Sequence, residues 1–418
     1  TTLFRSNIIP VMERNKIRER LILKPFGLEY IDQFNELLRY VFQVTNNDIL
    51  QSGYKDGEIV KSKRPILKNA DVIGWFNDDQ LVSQLCIYPC QVNIHGKIFS
   101  MGGLTGVGTY PEYANLGLMN DLIKSGLQIM KNKGQWISYL YPYSIPYYRR
   151  KGWEIMSDHL TFTIKDSQIP KNIAVKGFAE RLSVNDPDVI SVYDKFARSN
   201  HGALIRATQE WEEYWRWENE EERTAAVYYD KDDIPQGYIL YWIEEDIFHI
   251  KDIIYLNQEA RIGLWNFVYA HYSMIEEVQG NIYKNDPLHF FLDDGQIQET
   301  IEPYYMARIV DVIEFLNNFP FKNLDVFTPF HFVVSDSIAE WNRGAFGLVK
   351  NDKDRLTHTS EAVGKPVYLD IQTLTTMLMS YRSPSYLHRI ERLQADNDIV
   401  EVLEQIIPDN QPYFSDYF

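Results

Sequence analysis

A strand, a short loop and the start of a helix carry the clearest chemical signal in the chain. Residues 107–120 begin as an apolar strand, turn at Pro111 and enter a helix with Gly117 in its first turn. The first N–H groups of a helix lack partners within the helix, and the helix dipole adds positive potential there. This pattern predicts a site for an anion such as a diphosphate, which Gly117 lets approach closely. The alternative is a helix that merely follows a strand.

Two aromatic segments contain the candidate proton-transfer groups. Tyr148 lies in an aromatic stretch at 140–153, and a phenol shielded from water is able to donate a proton to a reacting group. Four of the last six residues are aromatic, although exposed chain ends are usually small and polar. We therefore expect this end, with Phe418 as its last residue, to dock on the protein. Both features also have a purely structural interpretation, as a core aromatic residue and as a tail that fills a groove.

Familiar catalytic signatures are missing from the sequence. It has no HExxH, no paired CxxC, no GxxxxGK[ST] and no GxSxG segment, and its nine histidines are scattered without metal spacing. The glycine-rich run at 102–108 lacks the lysine and the fixed spacing of a phosphate loop. Cys86 and Cys90 are separated by about 13 Å along one predicted strand, too far for a disulfide between them. Metal catalysis is therefore not expected.

The elements that must position these groups alternate in an α+β order. After a linker at 166–174 the pattern restarts, and near residue 296 its character changes again, so we predict three domains, 1–166, 167–298 and 299–418. In the first block the spacing predicts helices at 30–42 and 118–130, hairpin turns at 77–79 and 95–97, a strand at 136–140, a short helix at 143–151 and a closing strand at 153–164.

Composition and charge limit the class of partner. The 418 residues include 42 Lys and Arg against 58 Asp and Glu, a formal charge of −16. Nucleic acid and anionic bilayers repel such a chain, so neither is expected as a partner and a cationic acceptor is favoured. The two cysteines, the absence of an N-terminal signal-like stretch and the short apolar runs predict a cytoplasmic protein without a membrane span.

Residues 107–120 resemble the acyl-CoA segment of the GNAT N-acetyltransferases, V-x-x-x-P-x-x-[RQ]-x-x-G-x-[GA]. Val107, Pro111 and Gly117 match this segment, whereas Ala114 replaces the usual Arg or Gln and Met119 the usual Gly or Ala. The loss of the cation leaves the backbone donors intact. The resemblance implies acetyl-CoA as cosubstrate, bound by a strand, a diphosphate turn and a later loop: Val107, Gly108, Thr109, Asn115, Leu116, Gly117, Leu118, Met119, Asn120, Tyr143 and Ser144.

Further segments extend the resemblance to the enhanced intracellular survival (Eis) family, in which tandem GNAT domains precede a sterol-carrier-protein-like domain. Residues 148–153 are similar to the Y-x-x-x-G-[YWF] segment of GNAT domains, whose tyrosine protonates the CoA thiolate. A final Phe is typical of the Eis family, and its carboxylate enters the first active site. The resemblance therefore implies Tyr148 as general acid and Phe418 as general base. It also covers three residues that we expect to form a structural charge network at a domain junction: Arg308, Asp311 and Asp336.

The reaction implied by the resemblance is direct transfer of an acetyl group to a primary amine. The acceptor is expected to be a cationic small molecule or peptide of the aminoglycoside or lysine type, with Asp416 adding negative charge to its pocket. The family forms hexamers, so a homo-oligomer is expected. One alternative is a degenerate GNAT scaffold that binds an amine or apolar ligand without catalysis. Another is a Fem-type aminoacyl transferase that uses charged tRNA, which the charge of −16 disfavours.

Overall fold

The computed structural model describes residues 11–45, 47–48, 64, 67–215, 223–282, 287–353 and 355–418. Most of the turn-rich stretch at 46–70 lies outside the described residues, as do Trp217 and the acidic run that follows it at 218–222.

The described chain alternates strands and helices throughout. Its strands are β1 (Ile22–Pro25), β2 (Asp71–Asn77), β3 (Gln80–Ile94), β4 (Lys97–Thr109), β5 (Ile137–Leu140), β6 (Glu154–Ile155), β7 (Asp158–Lys165), β8 (Phe178–Leu182), β9 (Thr224–Tyr229), β10 (Pro235–Glu244), β11 (Ile247–Tyr255), β12 (Glu277–Ile282), β13 (Gln298–Pro303), β14 (Met306–Ile309), β15 (Phe330–Ser335), β16 (Gly344–Lys350), β17 (Leu356–Thr359) and β18 (Lys365–Asp370). Its helices are α1 (Val11–Arg20), α2 (Ile31–Phe42), α3 (Leu118–Asn132), α4 (Ile145–Arg149), α5 (Pro187–Ser199), α6 (Thr208–Trp215), α7 (Gln258–Tyr269), α8 (Leu288–Phe291), α9 (Val312–Asn318), α10 (Ile371–Leu378), α11 (Pro384–Arg389) and α12 (Asn397–Ile406).

The first sheet has seven strands in the order β1-β2-β3-β4-β5-β14-β6. Helix α3 covers one face, because apolar residues such as Leu122 and Leu127 recur on one side of it and are buried. Helix α2 packs its own apolar side, including Phe34, against the opposite face. The predicted hairpin turn between β3 and β4 is confirmed: His95 and Gly96 both have positive φ, which a tight two-residue turn requires.

The second sheet also has seven strands, in the order β13-β7-β12-β11-β10-β9-β8. Helix α7 packs on one face, and helices α5 and α6 pack on the other. The aromatic residues of α6, Trp211, Tyr214 and Trp215, are all buried, so this aromatic stripe serves packing.

The predicted closing strand at 153–164 is wrong as a single element of the first sheet. It is divided into β6, which pairs with β14 in the first sheet, and β7, which pairs with β12 and β13 in the second. The chain crosses between the sheets at Ser157, beside the return crossing at Tyr304 and Tyr305. Hydrogen bonds from Tyr304 N–H to Ser157 C=O (2.9 Å) and from Met156 N–H to Tyr305 C=O (2.9 Å) hold the two crossings together. The strands therefore do not follow the predicted boundaries at 166 and 298, and the three-domain division stays a prediction.

The last part of the chain forms a smaller sheet, β17-β16-β15-β18, covered by α10, α11 and α12. Its apolar residues, such as Phe332 and Leu374, belong to one core that continues to the α2 face of the first sheet. Beyond α12, residues 407–418 run back without helix or strand towards the first two sheets. Mixed sheets flanked by helices confirm the predicted α+β class.

Three of these helices have no counterpart in the sequence prediction. Helix α1 lies in a polar stretch, α8 has only four residues, and α11 begins at Pro384 in a short segment without apolar periodicity. Within the described part of the chain, every helix is too short or too polar to cross a bilayer.

Candidate active site

Strands β4 and β5 separate at the centre of the first sheet. They pair in parallel from Met101 and Ile137 to Gly103 and Tyr139, after which β5 ends at Leu140 while β4 continues to Thr109. A bulge at Gly106, where φ is +62°, turns this second half of β4. The opening between 104–109 and the end of β5 is called the strand gap below. Backbone groups on the β5 side of residues 104–109 thus face the gap, and Val107, Gly108 and Thr109 lie along it.

The helix start predicted to hold a diphosphate is formed by a left-handed turn. Pro111 opens a single helical turn, and Asn115 and Gly117 have φ of +63° and +79°, respectively. Helix α3 begins directly after Gly117, and no side chain caps it. The N–H groups of Leu118 and Met119 therefore lie at the helix mouth, where an anion is stabilised.

A cation that the sequence motif does not predict lies beside this turn. Ala114 is exposed and offers no charge, but the guanidinium of Arg18, on α1, donates to the carbonyl of Leu116 and pairs with Asp121. Lys151 donates to the side chain of Asn120 from another direction. A carboxylate in the first turn of α3 would repel a phosphate, and Arg18 neutralises it. The basic end of α1 is the sequence signal for this residue.

Tyr148 lies in α4, at the end of the loop that follows β5. Its side chain is buried and packs edge to face against Tyr147 and Trp153. Burial, and to a smaller extent Tyr147, raises the pKa of Tyr148, so its hydroxyl is protonated throughout the neutral range. The two residues predicted to contact the cofactor after β5 come just before Tyr148 in the chain. Ser144 directly precedes α4, and Tyr143 is 74% exposed.

The chain end lies at the mouth of the strand gap. A Cβ atom placed on Gly103, the last residue of β4 to pair with β5, would lie 2.8 Å from Cε2 of Phe418. The N–H of Phe418 donates to the hydroxyl of Tyr305 at 3.0 Å. The ring of Phe418 also packs against Tyr88 and Phe414.

The structure brings the chain end to β4, but it does not bring Tyr148 and Phe418 into contact. Tyr148 belongs to the core cluster on the α3 side of the first sheet, with Leu104 and Leu140. Phe418 packs against the core cluster on the opposite side, which contains Tyr139. The two candidate groups thus flank the strand gap from opposite faces of the sheet.

A small cavity of about 20 Å³ opens beside Phe418 and has an acidic wall. Its lining includes Glu210 and Glu213 from α6. Burial raises the pKa of Glu210; hydrogen bonds to backbone N–H groups partly offset this rise, and the nearby carboxylates of Asp416 and Glu213 add to it. Asp416 also lines the pocket, but its carboxylate is paired with the buried Arg206 at 2.7 Å. The sequence prediction misses both glutamates because they alternate with the packing aromatics of α6.

The described residues offer neither a metal centre nor a paired thiol nucleophile. No group of three or more potential metal ligands occurs among them. Both cysteines are buried and neither forms a disulfide, and burial raises the pKa of the Cys90 thiol well above its usual value. A protonated thiol is a poor nucleophile, so the pocket is better suited to direct transfer than to an acyl-enzyme.

Comparisons with known proteins agree with this geometry. Two acetyltransferase (GNAT) domain models match residues 23–156 and 202–309, and a sterol carrier protein domain model matches residues 312–415. No curated protein matches the chain significantly. The protein therefore contains two GNAT acetyltransferase domains and a sterol-carrier-like domain, and it is an enzyme of the GNAT N-acetyltransferase class.

Solved structures are similar over nearly the whole length. A conserved protein from Enterococcus faecalis, described as a "probable N-acyltransferase", is 28% identical with a TM-score of 0.84, covering 95% of this chain and 99% of its own. A GCN5-related N-acetyltransferase from Anabaena variabilis is 26% identical with a TM-score of 0.81, covering 96% and 100%. Eis1 from Mycobacterium abscessus is 16% identical with a TM-score of 0.76, covering 95% and 100%, which is a likeness of fold.

Proposed function

We propose that the protein is an Eis-like N-acetyltransferase that transfers acetyl directly from acetyl-CoA to a primary amine of a cationic acceptor. The observation that carries the proposal is the position of the chain end, with Phe418 against Gly103 where β4 and β5 separate. This contact of the ring holds the last residue beside the strand gap, and we assign its α-carboxylate as the base for a reaction there.

The residues present fit acetyl-CoA, which supplies an acetyl thioester when bound. The edge of β4 at 107–109 offers backbone hydrogen bonds to an extended arm, and the turn at 115–120 offers N–H groups to a diphosphate. The Arg18 guanidinium lies against Gly117, 2.7 Å from where a Cβ would stand, and offsets the charge of Asp121, while Lys151 adds positive charge at Asn120. Tyr143 and Ser144 lie at the end of the gap formed by β5.

The two candidate proton-transfer groups act on different atoms. The carboxylate of Phe418 takes up the proton that the acceptor amine loses, directly or through a water. An α-carboxylate that titrates near roughly 3.5 is a weak base, so partial burial assists it. Tyr148 Oη donates its proton to the sulfur that leaves. A buried phenol with a raised pKa holds this proton until negative charge develops beside it.

The acceptor pocket favours cations. Glu210 and Glu213 lie in its wall beside Phe418, and Asp416 adds a third carboxylate that is already paired with Arg206. Carboxylates that are partly removed from water attract an ammonium group more strongly than exposed ones do. An aminoglycoside or a lysine-type amine has the required charge. The acceptor class and the hexameric assembly of the Eis family both remain part of the proposal.

The experiment that tests the proposal modifies only the chain end. A short tag appended after Phe418 converts its carboxylate into an amide, and the same tag at the N-terminus serves as control. We expect the C-terminal tag to lower kcat for CoA release with a polyamine or aminoglycoside acceptor by at least about 100-fold. The acetyl-CoA Kd, measured by calorimetry, should stay unchanged. Tyr148→Phe should have an effect of similar size.

The results also separate the enzyme from the degenerate scaffold. Full turnover of the C-terminally tagged protein would remove Phe418 from the mechanism. If acetyl-CoA shows no saturable binding to the untagged protein, the scaffold interpretation is correct and the proposal fails.

A further inference from the structure

The end of the chain is irregular and yet partly buried. Residues 411–418 form neither helix nor strand, while Tyr413, Phe414 and Asp416 are 8%, 4% and 1% exposed. Chain ends are usually mobile unless specific contacts hold them. The contacts that hold this end come mainly from the second GNAT domain and from the crossing at Tyr304 and Tyr305.

A buried ion pair joins the chain end to the second GNAT domain. Nε of Arg206 donates to Oδ1 of Asp416 at 2.7 Å, and their side chains are 0% and 2% exposed. The hydroxyl of Tyr193 donates to the other oxygen, Oδ2, at 3.2 Å. A buried carboxylate without a partner is strongly unfavourable, so these contacts restrict Asp416 to one position.

Aromatic rings fix the guanidinium of Arg206 in turn. Its central carbon lies 3.7 Å from the ring centre of Tyr193, 3.8 Å from that of Tyr214 and 4.5 Å from that of Trp211. These rings belong to α5 and α6, in one core cluster of the second domain. The position of Asp416 is therefore set by the core of that domain.

Two adjacent tyrosines bind the backbone of the last three residues. The hydroxyl of Tyr304 donates to the carbonyl of Asp416 at 2.8 Å, and the hydroxyl of Tyr305 accepts the N–H of Phe418 at 3.0 Å. Both tyrosines lie between β13 and β14, where the chain passes from the second sheet into the first. They therefore align the terminal residue with the first sheet and the strand gap.

We propose that the second GNAT domain is a clamp for the chain end, in which Arg206 and Tyr305 are positioning residues for the carboxylate of Phe418. The proposal rests on the proposed function, because it is the candidate base that is clamped. A free chain end samples many orientations, and holding it at the gap supplies the orientation that proton transfer needs.

Carboxypeptidase A, which prefers aromatic C-terminal residues, measures how firmly the end is held without reference to acetyl transfer. Tyr305→Phe removes only the hydroxyl that accepts the Phe418 N–H. We expect Phe418 to be released about fivefold faster and kcat to fall about fivefold, with the acetyl-CoA Kd and the thermal midpoint unchanged. Tyr229→Phe is the matched control, since it removes a hydroxyl bonded to Asp188 at 2.6 Å in the same domain and should leave both rates unchanged.

A second variant tests the ion pair without leaving a buried charge alone. Arg206→Met by itself leaves the buried carboxylate of Asp416 without a partner and would destabilise the fold. Arg206→Met with Asp416→Leu removes both charges together. In this double variant we expect release of Phe418 at least about tenfold faster, with a lower kcat and a near-normal thermal midpoint. Arg206→Lys keeps the charge and should restore part of the kcat.

The outcomes distinguish the clamp from the terminal base. Release rates equal to those of the unchanged protein in both variants overturn the clamp. Faster release with unchanged kcat also overturns it as a positioning device, provided that the chain lacking Phe418 is inactive. If the chain lacking Phe418 is as active as the full chain, the terminal base of the proposed function fails, and faster release alone still supports the clamp.

Discussion

At the scale of single residues, glycines determine where the chain end can lie. The run at 102–108 resembles a poor phosphate loop in sequence, but in the structure it is a bulged strand packed on both faces. Gly102 approaches Met130 on one face, and Gly103 approaches Phe418 on the other. A side chain at Gly103 would occupy the position of the terminal ring.

The prediction at the scale of single residues concerns Arg18 and the affinity for acetyl-CoA. Arg18→Ala removes the cation beside the helix mouth and leaves the Asp121 carboxylate uncompensated in the first turn of α3. Because that carboxylate then repels a diphosphate, we expect the acetyl-CoA Kd to rise about five- to tenfold. Isothermal titration with acetyl-CoA measures the change directly.

The matched variant for Arg18 removes the repelling group as well. Arg18→Ala with Asp121→Asn should recover most of the affinity, since neither charge is then present. A Kd that stays at the unchanged value in Arg18→Ala would show that Arg18 only holds α1 in place.

At the scale of elements, the first and second sheets exchange strands. Strands β6 and β7 run beside β14 and β13 as one antiparallel ribbon that belongs to both sheets. β14 therefore lies inside the first sheet, next to β5, although it is far away in sequence. It delivers Arg308 to the buried space below Gly152, where φ is +94° and a Cβ would lie 1.6 Å from the Arg308 guanidinium. The glycine of the Y-x-x-x-G-[YWF] segment, Gly152, is therefore explained by packing, because it leaves room for Arg308.

The prediction at the scale of elements concerns Arg308 and the free energy of unfolding. Its side chain is fully buried and pairs with Asp336 at 2.5 Å, joining β14 to the loop after β15. Arg308→Met leaves Asp336 buried without its cation, which should lower the free energy of unfolding by about 3–5 kcal/mol. Urea denaturation followed by circular dichroism measures the loss.

An exposed ion pair provides the comparison for Arg308. Arg198→Met breaks the exposed pair with Asp194 on α5 and should cost less than about 1 kcal/mol. Equal costs for the two variants would mean that burial adds nothing to the Arg308 pair.

At the scale of the whole molecule, a stacked histidine pair lies where the β3–β4 turn, the second domain and the end of α10 meet. The rings of His95, from the β3–β4 turn, and His201, from the second domain, are 3.6 Å apart. Their Nε2 atoms donate to the carbonyls of Leu378 and Met379, at the end of α10. His201 Nδ1 accepts the backbone N–H of His95, so the His201 ring is neutral in this arrangement.

This pair predicts a stability that depends on pH. Burial lowers the pKa of His95 from 6.5 to about 4, while Lys322 and Asp409 have smaller opposing effects, and burial and His95 lower the pKa of His201. The unfolded chain takes up these protons near pH 6.5, whereas the folded chain resists them. The contribution of the two neutral histidines to the stability of the folded chain is therefore present above about pH 6.5 and is lost as the pH falls towards 4.

Between pH 7 and pH 5, His95 alone should account for a loss of about 2 kcal/mol in the free energy of unfolding. Urea titrations at the two pH values measure this loss in the unchanged protein and in His95→Gln. The variant should show a smaller loss, whereas His289→Gln, at an exposed histidine, should match the unchanged protein. A loss in His95→Gln as large as in the unchanged protein would contradict the assignment.

Local spacing in the sequence is enough to predict the parts that depend on neighbouring residues. The β4–turn–α3 unit around Gly117, the apolar stripe of α3, the tight turn at His95 and the α+β class all follow from short-range periodicity and backbone preferences. The aromatic composition of the last residues likewise predicts that the chain end docks.

Only the tertiary structure decides which distant residues meet. Arg18 reaches Asp121, Glu210 reaches the pocket beside Phe418, and β14 enters the first sheet, each across a long separation in sequence. No local period encodes such contacts, because they depend on how whole sheets pack and on where burial forces charges to pair. The helix mouth is thus a property of the local sequence, whereas the arrangement of the chain end beside it is a property of the folded molecule.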